Sequence, residues 1–209
     1  MIRRAWIIMA LASAGCSAPD QANDDRNASR KPIAVPQAMA AGESASTSVA
    51  ATAPLAMVSR FTTNRLEQCR LVEKNEEEGG YYRHHCPGVG GFSYELVESD
   101  LRQSLVIIAP GGRRDDISLT SATGSGGFST IGQTFDWRSL AGAPPRSLTV
   151  RFNVNEDPEA IVPARSYLVV VRLAAPACPV GVVPPGPGQN DTARAIADRD
   201  PLPACIAGQ

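Results

Sequence analysis

The sequence predicts a mainly β fold, an antiparallel β-sandwich or barrel with one short C-terminal helix and two disulfides. Three observations carry this expectation. Short runs of strand-forming residues recur after residue 57, separated by Gly and Pro punctuation. One of them, "LTVRFNVN" from Leu148 to Asn155, alternates apolar and polar side chains without a break, as a strand with one wet face does. Finally, 18 Gly and 17 Pro in 209 residues are the load of a turn-rich β protein or of one with a flexible tail.

Taken in order, the runs are "RLEQCRLVE" from Arg65, "YYRHHC" from Tyr81, "FSYELVE" from Phe92, "QSLVIIA" from Gln103, "TFDWRSL" from Thr134, "LTVRFNVN" and "SYLVVVRLA" from Ser166. The last is apolar on both faces apart from Arg172 and reads as a central strand. Phe135 and Trp137 share one strand face, which is core unless it is exposed as a contact patch. "TARAIADR" reads as the helix: Asn190 or Asp191 caps it, Ala193, Ile196 and Ala197 form a small apolar stripe, and Pro201 stops it.

Ahead of the folded part, the chain reads as targeting sequence. Arg3 and Arg4 form a positive n-region, and Ala5 to Ala14 form an apolar stretch too short to span a bilayer, so residues 1–15 are expected to be a signal peptide. "SAGC" resembles a bacterial lipobox in which Cys16 is acylated and becomes the first mature residue, although Ser13 stands where such boxes usually carry Leu. Cleavage after Ala14 is the alternative, and would leave a soluble periplasmic protein. Residues 16–57, rich in Ala, Ser and Pro, bury too little to offset their ordering entropy and are expected to be a tether with a span of about 35 Å. The resemblance to bacterial lipoproteins implies outer-membrane sorting, since Ser17 rather than Asp follows the cysteine. Residues 58–209 are expected to form a single domain.

Cysteine arithmetic supports export. There are five cysteines, and removing Cys16 to lipid leaves four. Cys69 and Cys86 lie symmetrically about "NEEEGG", so a hairpin there brings them opposite each other. Cys178 and Cys205 bracket the C-terminal segment. The other two connectivities stay open. The run Glu76-Glu77-Glu78 reads as a polar hairpin tip.

The spacing of "CRLVE…GGYYRHHCPGVGGFSYELVESDLR", "FDWR" and "CPVGVV…NDTARAIAD…AC" resembles a family of uncharacterised exported bacterial proteins, over roughly residues 66–205. The resemblance implies export and a single domain, and brings no assigned activity. It also implies that "CPG" and "CPVG" are structural corners.

Catalytic and metal signatures are weak. The formal net charge is -1, and of the basic residues only Lys31 and Lys74 are lysines, with the arginines dispersed, which argues against nucleic acid. In "RHHC" a strand puts His84 and Cys86 on one face and His85 on the other, so no metal set and no cofactor is expected. "GFSTIG" misses the G-x-S-x-G elbow by one residue and reads as a Gly/Ser loop. Glu95, Glu98 and Asp100 lie on or beside one strand and read as a solvated strand end rather than a catalytic pair. The expected partner-binding surface is Tyr81, Tyr82, Arg83, His84 and His85, with Arg113 and Arg114 from a self-neutralising "RRDD" loop. The leading expectation is a non-enzymatic envelope lipoprotein, held to the membrane by its lipid, whose β domain binds an envelope protein or peptidoglycan. An assembly accessory and a hydrolase of envelope polymers are the alternatives.

Overall fold

The computed structural model of the chain describes residues 56–77, 79–157 and 165–206. The signal peptide, Cys16 and nearly all of the expected tether lie outside the described residues, as does Glu78.

The strands form one 11-stranded sheet that folds over on itself into a half-barrel. Its first half is a meander: β2 (Arg70–Asn75), β3 (Tyr81–Pro87), β4 (Ser93–Ser99), β5 (Arg102–Ile108) and β6 (Arg114–Ile117) pair in sequence, each antiparallel to the last. The second half runs β1 (Met57–Thr63), β8 (Thr134–Leu140), β9 (Ser147–Asn155), β10 (Arg165–Arg172), β11 (Cys178–Val183), again antiparallel. β7 (Phe128–Ile131) joins them. It pairs antiparallel with the far end of β9, Ile131 opposite Phe152, and meets β5 through a single parallel rung, Arg102 with Ser129.

Period-two alternation decides what lies between the halves. Leu148, Val150, Phe152 and Val154 of β9 are all buried on the inward face, against Tyr94 and Leu96 of β4 and Leu105 and Ile107 of β5. Each such side chain contributes about 1.5–3 kcal/mol by leaving water. Phe135 and Trp137 are fully buried, so they are core and not a contact patch. Tyr94 packs on both, with ring centroids 4.7 and 6.3 Å away. Trp137 Nε1 donates to Thr62 Oγ1 at 2.9 Å, and burial pushes the Tyr94 hydroxyl pKa up to about 12.

A third layer, α2 (Gln189–Ala197), covers the outer face of the second half. Ala193 and Ala197 are buried against Leu168, Val170 and Val180, as the small stripe predicts. Gly181 makes the close approach possible: a Cβ there would stand 2.9 Å from Ile196 Cγ2. Polar side chains spaced one turn apart then lock the helix across the strands. Asn190 accepts from Arg151, Arg194 pairs with Asp136 at 3.4 Å, and Asp198 receives a two-pronged ion pair from Arg138. That pairing with Asp198 raises the Arg138 pKa against the opposing effect of burial.

Both disulfides join the expected partners, Cys69 with Cys86 and Cys178 with Cys205, with Cα atoms 4.3 and 5.6 Å apart. The first continues the β2–β3 register one rung beyond Arg70 and His85. Two disulfides in one small domain are the cysteine usage of an oxidising, extracytoplasmic compartment. Among the described residues no helix is long and apolar enough to cross a membrane.

Five local expectations need correction. "RLEQC" begins not as strand but as a 3-10 turn, Leu66–Gln68. "CPVG" is no corner: it opens β11, where Pro179 is tolerated because β11 pairs with β10 alone and the ladder bulges at Val170/Val171. "RRDD" is mostly strand, with Arg114 to Asp116 in β6, although Arg113 does neutralise Asp115 at 2.9 Å. "GFSTIG" contains β7, and Ser129 is buried in it. The helix is capped by Gly188, because Asn190 is turned toward Arg151 and Gln189 is already helical, its amide donating to the carbonyls of Ser166 and Val183. A second short helix, α1 (Leu119–Thr123), had no sequence signal beyond Leu119, which it buries.

Candidate functional site

Alternation along β3 splits the predicted binding surface in two. Tyr82, His84 and Cys86 point inward, opposite Glu98, Leu96 and Tyr94 of β4, while Tyr81, Arg83 and His85 point out. The two faces have different chemistry, and only the inward one is open.

On the outer face the sequence places together what it kept apart. Arg114 of β6 donates to both oxygens of Glu95, at 2.9 and 2.5 Å, and Arg83 Nη1 and His85 Nδ1 stand 3.7 and 3.8 Å from the same carboxylate. Arg83 also pairs with Glu73 of β2 at 2.7 Å. Glu95 is 4% exposed, and the Arg114 hydrogen bonds hold its carboxyl below the usual carboxylate range, against the opposing effect of burial. The same bonds raise the Arg114 pKa. This cluster neutralises the Glu95 charge and clamps β2 through β6 from outside, with Arg83 Nε buried and unpartnered. Arg113 is not part of it.

The inward face is filled as far as Leu96 and then opens. Beyond that row lies a groove of about 400 Å³, walled by Leu66, Leu71, Leu96 and Tyr82 and edged by Lys74, His84, Glu98 and Gln103. Concave, mainly apolar sites with a few placed polar groups are the usual form of a ligand site, and the mouth of a barrel is a common place for one. Leu66 and Leu71 are 52% and 47% exposed. Past Leu66 the hollow continues along Asn64, Glu67, Ile131 and Gln133, a second space of about 540 Å³ that shares Leu66, Leu96 and Gln103 with the first. The polar rim is ordered: Gln103 donates to Glu98 at 2.8 Å and accepts from the Ile131 amide at 2.7 Å, tying β4, β5 and β7 together beside the groove. Lys74 pairs with Glu76 at 2.7 Å, which raises its pKa.

Tyr82 and His84 are therefore the sequence-predicted residues that reach the groove. Leu66, Leu71, Lys74, Leu96, Glu98 and Gln103 were not anticipated. A faint signal existed for two of them: Leu66 and Leu71 are apolar residues in a stretch otherwise dense in charge, on either side of Cys69.

The candidate carboxylates do not converge. Glu95 faces outward into its arginines, Glu98 faces inward onto Gln103, and Asp100 sits in the β4–β5 turn against Arg102. Among the described residues no group of three metal-ligating side chains comes together. Comparison with family models, with curated proteins and with solved structures finds no match for the chain.

Proposed function

We propose that the chain is an exported lipoprotein of the bacterial envelope whose β domain is a non-catalytic module, binding a partner protein through the groove beside Leu66 and Leu71. The observation that carries the reading is the open groove itself. Two leucines half exposed at the lip of a concave apolar surface are costly in water and are what a partner's apolar side chains would cover. The neighbouring strand β2 lies at the edge of the sheet, so an extended segment of the partner has backbone groups to pair with while its side chains enter the groove. Apolar walls favour a protein segment over a glycan as the groove's occupant. Anchoring rests on the cysteines: Cys69, Cys86, Cys178 and Cys205 are all paired, which leaves Cys16, in its lipobox-like setting, as the odd one.

A photo-crosslinking residue at position 71, in the full chain expressed in its own host, tests the module. A discrete protein adduct at 71 and none at Arg199, an exposed position just past the end of α2, supports the reading; no adduct at 71, or the same pattern at both, overturns it. The intact mass of the mature chain tests the anchor. A lipid-modified chain starting at Cys16 supports it, and an unmodified one starting at Gly15 overturns it.

A further inference from the structure

The outer face of the second half-sheet carries a different kind of cavity. Phe61, Asp136 and Thr149 stand in one transverse row across β1, β8 and β9, and α2 passes beside them with Asn190 and Arg194. Together with Arg151 they line a cleft of about 240 Å³.

Two features of the cleft have no account within the fold. Thr149 is 7% exposed, and its Oγ1 is removed from water with no hydrogen-bond partner in the protein. Asp136 Oδ1, beside it in the row, is in the same condition, although Oδ2 of that carboxylate receives Arg194 at 3.4 Å. Buried polar atoms are nearly always satisfied, so two unpartnered atoms on adjacent residues that line a cavity mark a place where polar atoms of something else belong, reached by a small turn of the two side chains. The third feature is Phe61, 58% exposed on the strand that edges the second half-sheet and forming the wall opposite the helix.

The charges narrow the class of ligand. A free anion would meet the Asp136 carboxylate, and a free cation would meet Arg151 and Arg194. Arg151 is already committed to Ser166 at 2.8 Å, Gln189 at 3.0 Å and Asn190 at 3.4 Å, so it shapes the cleft rather than waiting for a counter-ion. What fits is an uncharged molecule that both donates and accepts hydrogen bonds at adjacent positions and has an apolar face. A sugar ring has both properties.

We propose that this cleft is a saccharide-binding site taking one ring, with the ring's C–H face on Phe61 and neighbouring hydroxyls on Asp136 Oδ1, Thr149 Oγ1 and Arg194. It is separate from the groove and does not depend on what the groove binds. A tethered domain with one site for protein and another for sugar would bridge a protein partner to an envelope glycan.

Saturation-transfer NMR on the mature chain with glucose, galactose and N-acetylglucosamine, each offered alone at millimolar concentration, tests the proposal. At least one sugar is expected to receive saturation at its ring protons, with affinity falling about tenfold or more in Phe61→Ala and in Thr149→Val and unchanged in the groove variant Leu71→Gln. Thr149→Val is isosteric and removes an unpartnered hydroxyl, so its thermal midpoint should equal or exceed that of the parent. No transfer to any of these sugars overturns the proposal. So does transfer that survives both cleft variants, and so does inorganic phosphate competing for the same site.

Discussion

Removing the more exposed member of the Glu95–Arg114 pair should cost more than neutralising the buried one. Glu95 keeps 5% of its side chain in solvent and Arg114 keeps 45%. In Arg114→Ala the carboxylate loses both hydrogen bonds and stays buried, with the Arg83 guanidinium at 3.7 Å as partial compensation. Uncompensated buried charges cost about 3–5 kcal/mol, and Arg83 brings the expected loss toward about 3 kcal/mol. In Glu95→Gln the amide oxygen still accepts from Arg114, whose charge is already half hydrated, so the loss is about 1 kcal/mol. The difference of about 2 kcal/mol is readable by denaturant unfolding followed through the fluorescence of buried Trp137. The pH dependence has a definite sign. Glu95 has a lowered folded pKa, so its stabilisation is present above the unfolded value of about 4.3 and is lost as pH falls through the folded value. Arg114→Ala removes the leading cause of that lowering, so its deficit should shrink as pH falls from 7 through the unfolded value of about 4.3, because the carboxyl is protonated at a higher pH in the variant than in the parent. A Glu95→Gln loss equal to or larger than that of Arg114→Ala, or a deficit independent of pH, would show that Glu95 does not depend on Arg114 for its charge.

Other perturbations have equally direct readouts. Replacing Cys178 and Cys205 together by Ser opens a link across 27 residues and should cost about 3 kcal/mol, with amide exchange in α2 speeding up more than in β3–β5. Gly181→Leu drives a side chain into Ile196 and should destabilise by about 1–3 kcal/mol in thermal unfolding, while the exposed Gly186→Ala leaves the midpoint unchanged. Leu101 holds φ +59 in the two-residue β4–β5 turn with its side chain 60% exposed, so Leu101→Gly should stabilise by about 0.5–1 kcal/mol in the same assay.

Legibility followed the physics of each segment. In β9 the alternation of Leu148 through Asn155 announces both the strand and its inward face, but the face expected to be wet is covered by α2, which leaves Ser147 and Thr149 buried as well. Cys69 and Cys86 were pairable because a short hairpin dictates which residues face each other. β11 and β6 escaped for opposite reasons. Pro179 looks like a terminator until it is known that β10 is the only strand beside β11, and Arg114-Asp115-Asp116 is too polar to read as strand until Glu95 is seen to need Arg114. The site was half legible. Alternation alone separates Tyr82 and His84 from Arg83 and His85, but whether either face is open depends on how far the opposite sheet reaches, which no local stretch records. The same holds for Phe61, Asp136 and Asn190, which lie far apart in the chain and meet only because β1 pairs with β8 and α2 crosses outside them.

The groove at Leu66 and Leu71 has to behave in solution as an open apolar binding surface if a partner docks there. Titration of the mature chain with the uncharged apolar fluorophore N-phenyl-1-naphthylamine tests it most directly. Saturable binding at one site is expected, abolished in Leu66→Asp and Leu71→Asp, whose exposed positions leave folding intact, and retained in Phe61→Ala. Uptake that never saturates, or that is unchanged by both aspartates, would contradict it.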